Sequence, residues 1–439
     1  MVGDIIKEMI DIKILRENPE LVKKAAEVKG YKVDIERTLE LDARRRQLQQ
    51  KADDLRARRN DVAARMRDGK PEPDQIEEGK RIKLELATLE KDLNLTEEEF
   101  YHLFKQIPNL PTEDVPVGAS EAENVVVKTV GDKPQFNFEP KNHAEIATRR
   151  GWLDKERAVK VAGSRFVYLK GDLVLLEFAL WQFAFSVLTN QETLQKIIDE
   201  NNLTVSAKPF VPVLPPAVAK TKVFEATGRL NKEEQTYKLE DDDLWLNASA
   251  EHTLAPMYMD EILDEKDFPL RYVGYTTAFR REAGTYGKDM EGILRLHQFN
   301  KLEMESFNLA ENSLAEHHFM VAIQEYLMQQ LGLPYQVLNK CTADIGFPNA
   351  RGVDINTWLP GQNKYRETHT ADYITDFQAR GTNTRVKRDD SSVQFVHNND
   401  ATAFSQRPLI AILENYQNED ATVRIPEVLR PFLNNRDLL

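Results

Sequence analysis

The sequence predicts an α+β protein, in which an antiparallel sheet flanked by helices follows an N-terminal antiparallel coiled-coil hairpin. In the first part of the chain, apolar residues recur at intervals of seven and of three or four, as the seam between two packed helices requires. The remainder mixes helix-period apolar stretches with β-branched and aromatic runs, without regular strand-helix-strand alternation. That mixture favours an antiparallel sheet over a doubly wound one.

Length and composition limit the classes of protein to consider. The chain has 439 residues, about three times the usual domain of ~150, and 41% of them are apolar. Its 59 basic and 72 acidic side chains give a net charge of −13, which is typical of an acidic globular protein. The single cysteine, Cys341, cannot form an internal disulfide or a zinc site of paired thiolates. We therefore expect no zinc and a reducing compartment.

The hairpin is the first predicted element. Its seam consists of seven-residue spacings on one helix and mixed spacings on the next, at Leu41, Leu48, Leu55 and Val62, then Ile82, Leu86, Leu89 and Leu93. Residues 68–73 (DGKPEP) would end any helix and form the turn. Residues 107–118 are rich in proline and indicate a hinge, so the predicted domains are an arm, 1–112, and a second domain, 113–439.

Positive charge is concentrated on the arm although the whole chain is acidic. Residues 41–70 contain ten basic and five acidic side chains, a net charge of +5. A basic face on a projecting arm fits the phosphate backbone of a nucleic acid. A solvated coiled-coil face is the alternative. The candidate nucleic-acid contacts are Arg44, Arg45, Lys51, Arg56, Arg58 and Arg59.

The most apolar stretch, residues 173–188, predicts a buried helix. Glu177 and Gln182 interrupt it, and it is shorter than the ~20 residues that a membrane span needs. The first residues lack a basic region followed by an apolar run, so no secretory signal is predicted. We expect a cytoplasmic protein that does not enter a membrane.

Two strand-like runs flank a glycine-rich polar loop with Gly284, Gly287 and Gly292. If residues 279–282 pair with residues 293–299, side chains two apart project to one face. The face would carry Arg295, His297 and Phe299, with Glu303 if the strand continues. An ordinary solvated sheet face is the alternative. Near the C-terminus, Pro408 fits the first turn of a helix, which puts Arg407 at the helix entry.

In this order, these segments resemble the bacterial-type seryl-tRNA synthetases, which are class II aminoacyl-tRNA synthetases. The resemblance begins at Met9 and covers nearly the whole chain. Its further matches are the segments 107–109 (IPN), 249–251 (SAE), 297–301 (HQFNK), 365–367 (YRE), 376–380 (DFQAR) and 426–431 (PEVLRP).

The resemblance implies an AMP-forming serine–tRNA ligase. Such an enzyme activates L-serine with ATP and Mg²⁺ to seryl-adenylate, and transfers the seryl group to the 3′ end of tRNA(Ser). Whether a selenocysteine tRNA, tRNA(Sec), is charged as well stays open. The resemblance also implies a homodimer, with Pro215 and Pro216 at the interface.

The same resemblance assigns roles in the ATP site. Arg280 would bridge the α-phosphate and the serine carboxylate, Arg407 would bind the γ-phosphate, and Phe299 would stack under the adenine. Glu367 and Thr370 would hold Mg²⁺ and phosphate oxygens. The implied catalytic residues are Arg280, Arg407 and Glu367, and the implied ATP ligands are Arg280, Arg281, Glu282, Arg295, Phe299, Glu367, Thr370 and Arg407.

The implied serine site departs from the family pattern. It would contain Ser249, Ala250, Glu251, Arg280, Glu303, Asn399 and Ala401. Six residues before Arg407 the family commonly has Thr or Ser near the substrate hydroxyl, and that count ends at Ala401, between Asp400 and Thr402. Loss of one hydroxyl contact would weaken the rejection of alanine or glycine.

The sequence allows two rival interpretations. An amino acid:carrier-protein ligase shares this fold, but such relatives lack the arm and need cysteine ligands for zinc. A catalytically silent RNA-binding paralogue would have lost the phosphate ligands, whereas Arg280, Glu367 and Arg407 are all present. Both rivals are therefore disfavoured.

Overall fold

The structure, a computed structural model, describes residues 9–67, 72–230, 236–282 and 292–439. Residues 68–71 of the predicted turn at 68–73, together with Gly284 and Gly287, lie outside the described residues. The chain divides into two compact units. We call residues 10–108 the arm and residue 9 with residues 109–439 the core unit. The arm ends at residue 108 in the structure, four residues before the boundary predicted after residue 112.

The described part of the arm is helical. Its helices are α1 (Ile12–Glu17), α2 (Pro19–Val28), α3 (Ile35–Arg67) and α4 (Pro73–Phe104). Asp34 caps α3, because its Oδ1 accepts from the Arg37 N–H at 2.9 Å. The predicted seam is confirmed: Leu41 and Val62 of α3 are buried, as are Leu86 and Leu93 of α4.

Strands of the core unit form one large sheet and three small ones. Their bounds are β1 (Val125–Val130), β2 (Leu153–Asp154), β3 (Tyr168–Leu169), β4 (Val211–Val213), β5 (Val218–Ala219), β6 (Trp245–Leu246), β7 (Ile262–Asp264), β8 (Leu270–Phe279), β9 (Gln298–Asn308), β10 (Tyr335–Asn339), β11 (Arg351–Leu359), β12 (Lys364–Thr375), β13 (Arg385–Lys387), β14 (Val393–Phe395) and β15 (His397–Ser405). The large sheet has the order β1-β10-β11-β12-β15-β9-β8-β4. All its neighbours are antiparallel except β4 and β8, which confirms the predicted sheet type.

Helices cover one face of this sheet. The core unit's described helices are α5 (His143–Arg149), α6 (Lys155–Ala162), α7 (Asp172–Leu188), α8 (Gln191–Glu200), α9 (Thr221–Ala226), α10 (Glu251–Leu254), α11 (Ser313–Gln330), α12 (Phe377–Thr382) and α13 (Arg407–Asn415). Leu180 of α7, Phe319 of α11 and Ile410 of α13 are fully buried in one apolar core. The prediction of a buried helix at 173–188 is confirmed, and Pro408 lies in the first turn of α13.

No single helix within the described ranges is long and apolar enough to cross a membrane. The helices α7 and α8 meet the length and composition test only together, as a pair bent by 76°.

Strand alternation gives the sheet one apolar and one charged face. Ala401 and Ala403 of β15 and Met304 of β9 belong to the apolar core. The residues between them, such as Thr402 and Glu303, therefore face the other side. The two are direct cross-strand neighbours, and a register shift follows Thr402. This second face bears the polar cavity described below.

Candidate active site

A polar cavity lies on the charged face of the large sheet. It contains the ends of β8 and β9, the middle of β12 and β15, and the start of α13. Its cationic lining residues are Arg229, Arg280, Arg295, Lys301, Lys340 and Arg407, and its carboxylates are Glu251, Glu282, Glu367, Asp372 and Asp400. Such a density of ionisable groups is costly to bury and is typical of a binding or catalytic site.

The charges are ordered along the strands. On β15 and the residues after it, Asp400 and Thr402 come first and Arg407 last. On the neighbouring β9, Glu303 lies opposite Thr402, whereas Lys301 lies opposite Ser405. The cavity therefore has a carboxylate end and, several residues along the strands, a cationic end.

Arg280 stands at the cationic end, directly after β8. Its Nε donates to the Ala248 carbonyl at 3.3 Å, and its guanidinium carbon lies 5.1 Å from the centre of the Phe299 ring. The ring and the guanidinium thus present neighbouring flat surfaces within the cavity. Arg295 pairs with the Glu282 carboxylate at 2.8 Å, and the Glu282 backbone has a φ of 51°.

Arg407 and Glu367 form the next pair. A terminal guanidinium nitrogen of Arg407 lies 2.8 Å from Glu367 Oε1 and also donates to the Glu367 carbonyl at 3.0 Å. Burial would raise the pKa of Glu367, but Arg407 and Lys340 outweigh it and hold the pKa at about 2. Glu367 is therefore a carboxylate at neutral pH, available to a cation.

The carboxylate end has fewer positive charges than carboxyl groups. Arg229 contacts Glu251 directly and reaches within 3.7 Å of Asp400. Burial opposes ionisation of Glu251, yet Arg229 keeps its pKa below the ordinary value. Burial raises the pKa of Asp400 well above its ordinary value, and Glu251 and Asp372 add to this.

Glu303 lies fully buried behind Lys301, with its Oε2 2.6 Å from the lysine Nζ. Burial raises the pKa of Glu303 to about 7, although Lys301 opposes the rise. A ligand ammonium at this end would supply the positive charge that these carboxyl groups lack.

Most predicted site residues line the cavity: Ser249, Glu251, Arg280, Glu282, Arg295, Phe299, Glu367, Thr370 and Arg407. The remaining ones lie elsewhere. Arg281 is exposed, with its guanidinium carbon 5.9 Å from the Tyr237 ring centre. Ala250 packs beside Gly274, and Asn399 donates to the Ser313 carbonyl at 2.8 Å on the helix side of the sheet. Ala401 belongs to the apolar core.

The expected shared face of Arg295, His297 and Phe299 does not form. Strand β9 begins only at Gln298, and Arg295 lies in the turn before it, because Ile293 and Leu296 bury their side chains in the core. His297 packs its ring against Phe166 and Tyr237, with centroids 5.3 and 6.3 Å away.

Several lining residues are not among the predicted site residues: Arg229, Lys301, Lys340, Asp372, Asp400 and Thr402. For the last two a signal existed. Because neighbours on a strand face opposite sides, an alanine at 401 in the core puts both flanking residues on the cavity side.

The described residues also fit a magnesium ion at the cationic end. The Thr370 hydroxyl is buried without a hydrogen bond of normal geometry to the described residues, and Oδ1 of its cross-strand neighbour Asp354 lies 3.7 Å from Lys340 Nζ. No group of three His, Cys, Asp or Glu side chains that could enclose a metal occurs within those residues. Mg²⁺ needs only one or two protein ligands when phosphate oxygens and water complete its octahedron.

On the arm, the six predicted nucleic-acid contacts differ in their surroundings. Arg44, Lys51 and Arg59 are exposed on α3. Arg56 pairs with Asp53 and Glu90, at 2.9 Å each, and Arg58 pairs with Glu78. Arg45 is half-buried and bonds to Asp42 at 3.0 Å, with its guanidinium carbon 4.2 Å from the centre of the Phe100 ring.

Comparison with known proteins matches both units. The family described as "Seryl-tRNA synthetase N-terminal domain" matches residues 9–111, and "tRNA synthetase class II core domain (G, H, P, S and T)" matches residues 235–416. A serine–tRNA ligase of Dictyoglomus turgidum is 39% identical over 97% of this chain and 98% of its own length. One of Thermosynechococcus vestitus is 41% identical over 97% and 98%.

Two solved structures are similar along almost their whole length. The crystal structure of seryl-tRNA synthetase from Pyrococcus horikoshii complexed with ATP has a TM-score of 0.84 and 35% identity, and 98% of this chain and 99% of that one are covered. Cytoplasmic serine–tRNA ligase from Naegleria fowleri in complex with AMP has a TM-score of 0.79 and 26% identity, with the same coverage.

The antiparallel sheet and the matched core domain define a class II aminoacyl-tRNA synthetase. Within that class, the arm and the full-length relatives decide the group. This chain belongs to the seryl-tRNA synthetase family.

Proposed function

We propose that this protein is a serine–tRNA ligase that forms AMP. The observation that carries the proposal is the cavity's order of charges, in which a cationic end suited to a triphosphate adjoins a carboxylate end suited to an ammonium. A triphosphate beside an amino acid fits this order, with the phosphates near Arg280 and Arg407 and the ammonium near Glu251 and Asp400. Membership of the seryl-tRNA synthetase family supports serine as that amino acid.

In the first step the carboxylate of serine attacks the α-phosphorus of ATP, and pyrophosphate leaves. Negative charge grows on the phosphate oxygens, and Arg280 and Arg407 stabilise it from fixed positions. Phe299 offers a face for the adenine next to Arg280. Orientation of the two substrates supplies a further large part of the rate.

At the carboxylate end, Glu251, Asp400 and Glu303 would bind the serine ammonium. The Thr402 hydroxyl lines the same end and is the candidate partner for the serine side chain. The role predicted for position 401 therefore moves to Thr402.

Glu367 and Thr370 would hold Mg²⁺ with the phosphates. When bound, the ion would neutralise charge on the phosphate oxygens. The Glu367 carboxylate stays ionised for this purpose because Arg407 and Lys340 keep its pKa low despite burial. Zinc is not required by this proposal.

In the second step the terminal ribose hydroxyl of tRNA(Ser) attacks the acyl carbonyl of the adenylate, and AMP leaves. The arm would bind the RNA, with Arg44, Lys51 and Arg59 among the exposed cations on α3. A selenocysteine tRNA is a second candidate substrate only if it presents the same surface to the arm.

A homodimer in the cytoplasm completes the proposal. Apolar side chains are exposed at the β4 edge of the large sheet, with Val211 52% and Leu214 81% exposed, and Phe178 of α7 is 53% exposed. Such exposure at a sheet edge suits a second copy of the chain. The single cysteine suits a reducing compartment.

A pair of adjacent arginines tests the assignment of the site. Arg280→Ala is expected to lower serine-dependent exchange of pyrophosphate into ATP by at least ~100-fold, because it removes charge stabilisation at the α-phosphorus. Arg281→Ala is the matched control, since its side chain lies outside the cavity over Tyr237. It should change the exchange rate by less than ~3-fold. No serine-dependent exchange by the unaltered protein would overturn the proposed function, and equal losses in both variants would remove Arg280 from the site.

A further inference from the structure

A buried histidine and a buried glutamate join three segments behind the cavity. His143, the first residue of α5, is 3% exposed, and Glu414, near the end of α13, is 0% exposed. The Nδ1 of His143 lies 2.9 Å from Glu414 Oε1, and the backbone N–H of His143 donates to the same oxygen at 3.1 Å. The other carboxylate oxygen accepts from the Gly361 N–H at 3.0 Å.

The far nitrogen of the imidazole contacts the turn before β9. The N–H of Ile293 donates to His143 Nε2 at 3.3 Å. Since Nε2 accepts here, the proton of the neutral ring belongs on Nδ1, where it is donated to the Glu414 carboxylate. The Glu414 carboxylate thus determines which nitrogen of His143 carries the proton, and so leaves Nε2 free to accept from the Ile293 N–H.

The imidazole of His143 lies so close to the turn that only glycine fits at position 292. Gly292 has a φ of +64°, and a Cβ atom at that position would lie 1.9 Å from His143 Nε2. Ile293 and Leu296 belong to the apolar core, and they line the cavity together with Arg295, which lies between them. The backbone of residues 292–296 is therefore held from one side by packing and from the other by the imidazole.

We propose that His143 and Glu414 are a positioning pair that holds the 292–296 turn, and so sets Arg295 against the bound nucleotide. The proposal rests on the proposed function, because Arg295 meets a nucleotide only if the cavity binds ATP. Neither residue lines the described part of the cavity, so both act through the turn.

The test separates ATP binding from serine binding. His143→Asn keeps a donor near Glu414 but removes the acceptor for Ile293, so the KM for ATP in serine-dependent pyrophosphate exchange should rise about 10-fold. The KM for serine should change less than ~2-fold. His143→Gln, whose amide oxygen reaches the Nε2 position, should restore most of the ATP affinity. Equal rises in the two KM values would overturn the proposal.

A double-mutant cycle with Arg295→Ala adds a readout that general destabilisation would not produce. If His143 acts through Arg295, His143→Asn should raise the KM for ATP no further in the Arg295→Ala background. Additive effects of the two changes would overturn the proposal. Glu414→Gln replaces one of the two accepting carboxylate oxygens with an amide NH₂, which cannot accept these hydrogen bonds, and should reproduce the His143→Asn effect. This second variant keeps the proposal testable if His143→Asn does not fold.

Asn415→Ala is the matched control. Asn415 is the next residue of α13, is 5% exposed and donates to the Trp358 carbonyl at 2.8 Å, away from the turn. It should lower the unfolding temperature without a selective rise in the KM for ATP. A selective rise would contradict the proposed route through His143. Absence of exchange in the unaltered protein would instead contradict the proposed function.

Discussion

Residues 400–402 illustrate how strand alternation decides the chemistry of a side chain. Asp400 and Thr402 line the cavity, while Ala401 between them is fully buried in the apolar core. The sequence position six residues before Arg407 is Ala401, and a register shift of β15 lies between it and Arg407, at Thr402 and Phe404. Such a shift cannot be predicted from the sequence, since it depends on how β9 pairs with β15.

Thr402 is expected to determine the discrimination between serine and alanine. Thr402→Ala should lower the ratio of kcat/KM for serine to that for alanine by about 10- to 100-fold, because it removes a hydrogen-bond partner of the substrate hydroxyl. Pyrophosphate exchange with each amino acid measures the ratio. In Ala401→Ser the new hydroxyl points into the core, so stability should fall while the ratio stays the same. A changed ratio in Ala401→Ser alone would return the role to position 401.

At the scale of elements, the sequence predicts the helices and strands better than the turns between them. The heptad spacing predicted α3 and α4, and Pro408 predicted the start of α13. The apolar run at 293–299 predicts a strand, whereas residues 292–296 form a turn and β9 begins only at Gln298. Only the contacts of Ile293 with His143 and the core, far apart in sequence, distinguish the two.

Helix α7 carries a buried carboxylate toward two cavity segments. Glu177 is 5% exposed, and its Oε1 accepts from the side-chain amides of Asn300 and Gln406, both at 2.9 Å. Burial raises the pKa of Glu177, although the two hydrogen bonds oppose the rise. Asn300 follows Phe299 and Gln406 precedes Arg407 in the sequence, so Glu177 of α7 helps to hold the backbone at both cavity residues.

Glu177 should make stability depend on pH in a definite direction. A carboxyl group with a raised pKa in the folded state stabilises the fold fully below its unfolded pKa of about 4.5, and this contribution is lost as pH rises through the folded pKa. The unfolding free energy of the unaltered protein should thus fall relative to that of Glu177→Gln as pH rises from about 4.5. Urea unfolding at several pH values measures this. Glu192→Gln, at an exposed position of α8, should show no such trend; a trend of opposite sign at 177 would disprove the assignment.

For the whole molecule, the distribution of charge matters more than its sum. The chain carries −13 overall, which disfavours a polyanion, but residues 41–70 carry +5 and would attract an RNA backbone. The sequence was sufficient for this inference because charge counts need no tertiary contacts. It was not sufficient to separate exposed from paired arginines, since the partners Glu78 and Glu90 come from the opposite helix.

Charge reversal on the arm tests its proposed role. The double variant Arg44→Glu and Lys51→Glu should weaken tRNA binding, and should reduce the slope of the logarithm of affinity against the logarithm of salt concentration by about 1 to 2. Pyrophosphate exchange should not change. The control is Lys83→Glu with Lys91→Glu, an equal change of charge at exposed sites of α4. An equal loss of tRNA affinity in the control would show that only net charge matters.

The two residues that flank the arm in the sequence, Met9 and Asn109, both belong to the core unit. Met9 is 2% exposed, and Asn109 donates from its side chain to the carbonyls of Pro348 and Ile374 at 2.9 and 2.7 Å. Since every strand of the large sheet comes from the core unit, a hairpin of another length or charge would leave the strand order unchanged.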